Sequence, residues 1–405
     1  MAWDDDYEIS AAAYQWSGRV FRLLERMLRL RISLDHQPSH IHGGEIFLFN
    51  HFARFETFIP QYLIYRETGA VCRSVAGGEF FVEGSPLSNY LRSVGAVPAN
   101  HPRLLSFLGE EILRGRKVVV FPEGGMVKDR RVLGTGGEYE VYSRSAGKRR
   151  KQHTGAAVLA LILDAFKSAL LEVHRRGDRK RFREWVERLR LENEERLLEA
   201  VRRPTLIVPA NITFYPIRVG DNLLHQVGEL LTRGLSRRMA EELLIEGNIL
   251  LKDTDMNVRM GEPLAPERRR NWWERRLLGR LEQEADSAED FFGLVAGRRL
   301  WGRRLLKWKL ARHAHRIRDR YMHRIYTGVT VHLSHLASLL VMALAGQGLE
   351  EVDRSRFHKL LYLSLKLCQR QPSLHLHTSL TEPDAYQDLL AGGCPGLERF
   401  LWAFR

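Results

Sequence analysis

Glu45-Ile46-Phe47-Leu48-Phe49-Asn50-His51-Phe52-Ala53-Arg54-Phe55-Glu56-Thr57 is the stretch that decides how this chain reads. Ile46 to Phe49 are apolar without a break, as in a strand buried on both faces, and the polar residues from Asn50 mark where the strand gives way to a turn or a helix start. In an α/β fold, ligands bind at such junctions, outside the carboxyl ends of the strands. His51 followed by Glu56 supplies what a site needs if an imidazole is to act as a base while a carboxylate holds its tautomer. In an unbroken α-helix five residues turn through about 500°, which leaves the two side chains roughly 140° apart. Their pairing therefore requires a turn or the start of a helix here.

Alone, a His-x4-Glu pair equally fits a surface helix that begins with a capping acid. A second stretch, Lys117-Val118-Val119-Val120-Phe121-Pro122-Glu123-Gly124-Gly125, is again a buried strand that runs into a Pro/Gly turn carrying an acid. In this order the two junctions resemble the glycerolipid acyltransferase superfamily, the glycerol-3-phosphate and 1-acylglycerol-3-phosphate acyltransferases. The hallmarks of that family are an Asn-His-x4-Asp block, here Asn50-His51 to Glu56, and a Phe-Pro-Glu-Gly block, here Phe121 to Gly124. Further blocks follow in family order. Gly84 to Pro98, with Leu91-Arg92-Ser93-Val94-Gly95-Ala96-Val97-Pro98, resembles the second; Leu206 to Phe214 resembles the strand of the fourth; Val258 to Leu264 looks like the Gly-x-Pro strand that closes the domain.

The resemblance covers about residues 36 to 265 and implies an α/β fold: a central, mostly buried sheet flanked by helices, as in glycerol-3-phosphate acyltransferases. It implies transfer of a fatty acyl group from acyl-CoA or acyl carrier protein to a hydroxyl of glycerol 3-phosphate or a lysophospholipid, in phospholipid biosynthesis. His51 is then the general base and Glu56 the group that orients it, with Asn50, Glu123, Gly124 and Gly125 framing the acceptor. Three departures matter. The family's Asp is Glu56, one methylene longer. The arginine usual after Phe-Pro-Glu-Gly is absent at Gly125-Met126-Val127, with Lys128, Arg130 and Arg131 as substitutes for a phosphate contact. The second block also lacks its arginine near Asn100-His101, where Arg103 is the nearest cation.

Thioester chemistry needs a base for the acceptor proton and a donor for the oxyanion. The thiolate already leaves well, so a covalent acyl-enzyme is unnecessary, and no Gly-x-Ser-x-Gly elbow appears. No metal-ligand pattern is present and no cofactor is expected beyond the acyl co-substrate.

A formal charge of +14 on 405 residues, with a pI near 9.9, points to an anionic partner: an anionic membrane surface, CoA or an acidic carrier protein, with nucleic acid the less expected choice. The mean hydropathy of -0.30 argues against an integral membrane protein. Cys72, Cys368 and Cys394 form neither a disulfide framework nor a zinc pattern, which fits a reducing compartment. The acidic start, Met1-Ala2-Trp3-Asp4-Asp5-Asp6, is not a signal peptide. The expected location is cytoplasmic, peripheral on the inner face of the cell membrane.

Three segments are expected: an N-terminal amphipathic helix within 1–35, the acyltransferase domain at 36–265, and a basic, mainly helical region at 266–405. Val20, Leu23, Leu24, Met27 and Leu28 among Arg19, Arg22, Arg26 and Arg29 give the first its two faces. Strands are predicted at 45–49, 71–75, 117–121, 206–214 and 257–260, and helices at 56–68, 101–114, 154–176 and 179–201. The basic, glycine-bearing stretch 127–155 reads as a cover or a disordered insert beside the site. Beyond Pro266, cations alternate with Trp272, Trp273, Trp301 and Trp308, the mixture a membrane-water interface favours. The apolar run 326–345 is interrupted by His332, Ser334, His335 and Ser338, so it reads as a buried helix rather than a membrane span. Two other readings stay open: an enzyme of this fold acting on a different lipid or a non-phosphate acceptor, and a non-catalytic basic peripheral lipid-binding protein.

Overall fold

The structure, a computed structural model, describes residues 7–27, 31–51, 58–124, 132, 139–143, 148–215, 255–266, 270–296, 301–349 and 351–381. Its centre is a seven-stranded sheet made of β1 (Arg31–Asp35), β2 (Ile46–Phe49), β3 (Cys72–Ala76), β4 (Ala96–Pro98), β5 (Lys117–Val120), β8 (Ile207–Tyr215) and β9 (Asp255–Met260), in the order β1-β9-β8-β2-β5-β3-β4. The pairings β1·β9, β2·β8, β2·β5, β3·β5 and β3·β4 are all parallel. Parallel strands need long crossovers and are covered on both faces, which is why Ile46–Phe49 of β2 and Val118-Val119-Val120 of β5 are continuous apolar runs rather than alternating ones. Ile46, Phe47, Leu48 and Phe49 are all fully buried, each side chain contributing roughly 1.5–3 kcal/mol of transfer free energy.

The chain divides into two compact units. The first comprises Met1–Arg22, His36–Ala210 and Met260–Tyr326. Here the Gly155–Arg175 helix is apolar over most of its circumference and most of its residues between Ala156 and Val173 are buried, because the Arg179–Arg188, Trp272–Glu284 and Leu104–Leu113 helices pack around it. Trp185 is fully buried, edge-on to Phe166 at 5.0 Å, with its indole N–H satisfied by Glu282 Oε1 at 2.7 Å. At the foot of the sheet Lys117 Nζ donates to the carbonyls of His42 (2.7 Å) and Gly44 (2.5 Å), and Lys167 pairs with Glu45 at 2.5 Å. The Gly-x-Pro segment closes onto β8: Gly261 N–H donates to Pro209 O at 2.8 Å, and Ile207 and Leu264 exchange backbone hydrogen bonds.

The second unit comprises Leu23–Asp35, Asn211–Arg259 and Thr327–Arg405. Its helices Leu333–Gly346 and Arg354–Gln369 pack through Leu336, Ala337, Phe357, Leu361 and Leu365. The short strands β10 (Thr330–Val331) and β11 (His375–Leu376) pair beside them. His332 is buried, stacked on His377 at 4.5 Å and 3.1 Å from Asn257 Nδ2; burial, then the neighbouring imidazoles, push it down to about 3, so it stays neutral.

Three expectations are corrected. Arg31–Asp35, expected inside the N-terminal helical segment, is a strand: the helix covers Ala11–Met27, and the alternating Arg-Ile-Ser-Leu-Asp pairs with β9. The 127–155 stretch is not a disordered insert throughout, because β6 (Glu140–Ser143) and β7 (Lys148–Lys151) form an antiparallel pair within it. The helix expected over 179–201 is two, Arg179–Arg188 and Glu194–Arg202, separated where Arg190 takes a positive φ of 51° and restarted by an Asn193 side-chain cap.

Candidate active site

β2 and β5 are adjacent and parallel, with Leu48 beside Val120, so the segments leaving their carboxyl ends emerge together. Asn50 and His51 follow β2; Phe121 to Gly124 follow β5 as a tight turn in which Gly124 N–H donates to Phe121 O at 3.1 Å. Gly124 sits at φ +64°, a conformation that a Cβ disfavours, which gives the Phe-Pro-Glu-Gly block a backbone reason for its glycine.

Glu123 ties the two junctions. Its Oε2 accepts the His51 backbone N–H at 2.7 Å, and its Oε1 accepts the Tyr326 phenol at 2.6 Å. The side chain is 1% exposed, so each of these bonds replaces water that cannot reach it. Hydrogen bonds to a charged acceptor contribute about 1.5–3 kcal/mol each. The acid therefore fixes the backbone from which His51 projects. The His51 ring lies 4.9 Å from the Phe121 ring, tilted by 44°, and Phe121 in turn lies 6.3 Å from Phe49.

A second layer holds Glu123's partner. Gln152 Nε2 donates to the Tyr326 hydroxyl at 3.0 Å, and the Tyr139 ring stacks on Tyr326 at 5.4 Å. Tyr139 shares a 2.9 Å hydrogen bond with His323 Nδ1, and Tyr321 donates to the His153 carbonyl at 2.9 Å. Tyr321, His323 and Tyr326 all belong to the Trp301–Thr327 helix. Burial first, then the Glu123 carboxylate, drives the Tyr326 phenol far above its ordinary value, so it remains a donor. The Tyr139 phenol is also raised, by burial and then by the charge of Asp319.

Of the residues singled out in the sequence, Asn50, His51, Glu123 and Gly124 thus lie at neighbouring strand ends, with His51 and Glu123 in direct contact. Glu56, Gly125, Lys128, Arg130 and Arg131 lie outside the described residues. Sequence reasoning did not assign Tyr326, Gln152 or Tyr139 to the site. The available signal was the Tyr-Met-His-Arg-Ile-Tyr run at 321–326, whose His323 and Tyr326 stand three apart on one helical face.

Among the described residues, no group of three or more His, Cys, Asp or Glu side chains is placed to hold a metal ion, and no helix is long and apolar enough to cross a membrane. No protein-family model matches the chain, and no curated protein matches it.

Proposed function

We propose that the protein is an O-acyltransferase of the glycerolipid acyltransferase type. It moves a fatty acyl group from acyl-CoA or acyl carrier protein to a hydroxyl of glycerol 3-phosphate or a lysophospholipid. The observation that carries this reading is the 2.7 Å bond from the His51 backbone to Glu123, which joins the two motif blocks at the carboxyl ends of neighbouring parallel strands.

In the proposed reaction the His51 imidazole takes the proton of the acceptor hydroxyl as its oxygen attacks the thioester carbonyl. The tetrahedral intermediate then collapses, the C–S bond breaks, and the departing thiolate takes the proton back from the imidazolium. General-base help of this kind is worth about 10²- to 10⁴-fold. Glu56 is proposed to orient the imidazole, following the logic of a base held by a carboxylate. Glu123, bonded to the backbone of residue 51 and to the Tyr326 phenol, is proposed to act as a positioning residue. Lys128, Arg130 and Arg131 are proposed to meet the acceptor's phosphate. Action at the inner face of the cell membrane follows from the substrates and from the net charge of +14.

The test supplies purified protein with radiolabelled acyl-CoA or acyl carrier protein and a panel of acceptors, and identifies the lipid products by mass spectrometry. Acyl transfer that falls at least 100-fold in His51→Ala, with the unfolding midpoint retained, is the expected result. Turnover close to wild type in His51→Ala, or no transfer to any acceptor, would overturn it.

A further inference from the structure

A second site lies in the first unit, independent of the reading of His51. A cleft of about 380 Å³ opens between the Gly155–Arg175, Glu194–Arg202 and Trp272–Glu284 helices. Its wall adjoins the amino end of β2, whereas His51 follows the carboxyl end. Lys167, in its wall, pairs with Glu45, the residue before β2, and donates to the carbonyl of Arg203, which leads into β8. About 13 Å of strand separates the two ends of β2.

The cations around the cleft fall into two groups. Arg270 is committed to the protein, with Nη2 on Asp164 Oδ2 and Nη1 on Ser168 Oγ, both at 2.5 Å, and Lys167 is committed to Glu45. The one remaining acid in the lining, Glu172, pairs with Arg176 at 3.1 Å. Arg175, Arg202 and Arg275 line the same cleft, and no acid among the described residues pairs with any of them. Their immediate neighbours do find carboxylates: Arg176 on Glu172, Arg203 on Glu199. Arg175 and Arg202 stand in the last turns of their helices, where the helix dipole favours a cation, but Arg275 stands in the first turn of its own, where the dipole opposes one. A guanidinium kept there with no acid partner among the described residues, in a cleft lined by two others, suits the binding of an anion. Val201 and Leu278 are buried and Leu171 partly so, which gives the cleft an apolar floor beneath its charged rim.

We infer that this cleft binds an organic phosphate, its phosphate held by Arg175, Arg202 and Arg275 and its body resting on Leu171, Val201 and Leu278. Arginine pairs with phosphate through two parallel N–H bonds, so three arginines can engage a pyrophosphate or a phosphomonoester from several sides. The volume falls within the range of small-ligand sites, about 300–1,000 Å³. The phosphate can belong to a soluble molecule or to a lipid headgroup.

Titration calorimetry of the full chain with adenosine 5′-diphosphate and with pyrophosphate, and flotation with vesicles of phosphatidic acid in phosphatidylcholine, separate these sources. The variants are Arg202→Ser/Arg275→Ser and, as a control outside the cleft, Arg179→Ser. Binding of at least one probe that weakens tenfold or more in the double variant and is unchanged in Arg179→Ser is the expected result. Soluble probes alone point to a metabolite phosphate, vesicles alone to a lipid. Both arginines are exposed and pair with no acid among the described residues, so the unfolding midpoint of the double variant should match wild type. Equal binding in all three proteins, or binding of none of the three probes, overturns the assignment.

Discussion

Tyr326 donates its phenol to Glu123 Oε1 at 2.6 Å across 203 residues of chain. Tyr326→Phe removes that donor and leaves a buried carboxylate short of one partner, at a cost of about 1–3 kcal/mol in stability. Acyl transfer should fall roughly tenfold, because the turn that holds the His51 backbone loosens. The phenol is raised well beyond the working range, so it does not titrate there. The pH-rate profile should therefore keep its inflections while its height drops, and an inflection displaced by the substitution would show that Tyr326 exchanges a proton in the reaction.

Glu111 is the hub of a buried ionic cluster. It accepts from Arg73 Nε at 2.5 Å, from Arg114 Nη1 at 2.8 Å and from Arg116. Burial alone would raise its carboxyl, but Arg73, Arg116 and Arg114 outweigh burial and hold it below its ordinary 4.5. A carboxyl depressed in the folded state stabilises above its unfolded value and loses that contribution as pH falls through the folded one. Glu111→Gln also strands Arg73, which is 2% exposed, so a loss of about 3–5 kcal/mol is expected at pH 7. Urea unfolding of both proteins from pH 7 to 3 should show a constant gap down to about pH 5 that narrows below 4.5. A gap that widens on acidification would contradict the depressed carboxyl.

Gly95, between the Pro86–Ser93 helix and β4, adopts φ +91°, and a Cβ there would lie 2.4 Å from the Cys72 carbonyl oxygen. Backbone cannot step aside as a flexible side chain can. Gly95→Ala should cost about 1–3 kcal/mol, read as a lowered unfolding midpoint, whereas Gly18→Ala on an open helical surface should not lower it. Equal midpoints for the two variants would mean that β3 and β4 readjust freely.

The middle of the sheet was legible because Ile46–Phe49 and Val118-Val119-Val120 are short apolar runs with turn formers or polar residues beyond them, and Ile207–Tyr215 is mostly apolar. Its edges were not. Arg31–Asp35 has charged ends and continues an arginine-rich helical pattern, and Ala96–Pro98 has three residues; outside this sheet, Lys148–Lys151 of the separate β6·β7 pair consists wholly of cations. Pairing with a neighbour, which the local pattern does not encode, makes these segments strands. The break at Arg190 lacks glycine or proline, and only Asn193 signalled the helix that follows. At the site, His51 and Glu123 were legible as motif residues. The phenol that completes their contact comes from a helix whose own pattern speaks of basic surface, and only the packed chain brings it to Glu123.

The late position of Tyr326 also has a consequence for biosynthesis. At about 5–20 residues per second, a ribosome needs roughly 10 to 40 s to travel the 203 residues from Glu123 to Tyr326. For that interval the nascent polypeptide carries both motif blocks but not the hydroxyl that locks them. Until translation passes that last link, the contact between the turn after β5 and the Trp301–Thr327 helix cannot form.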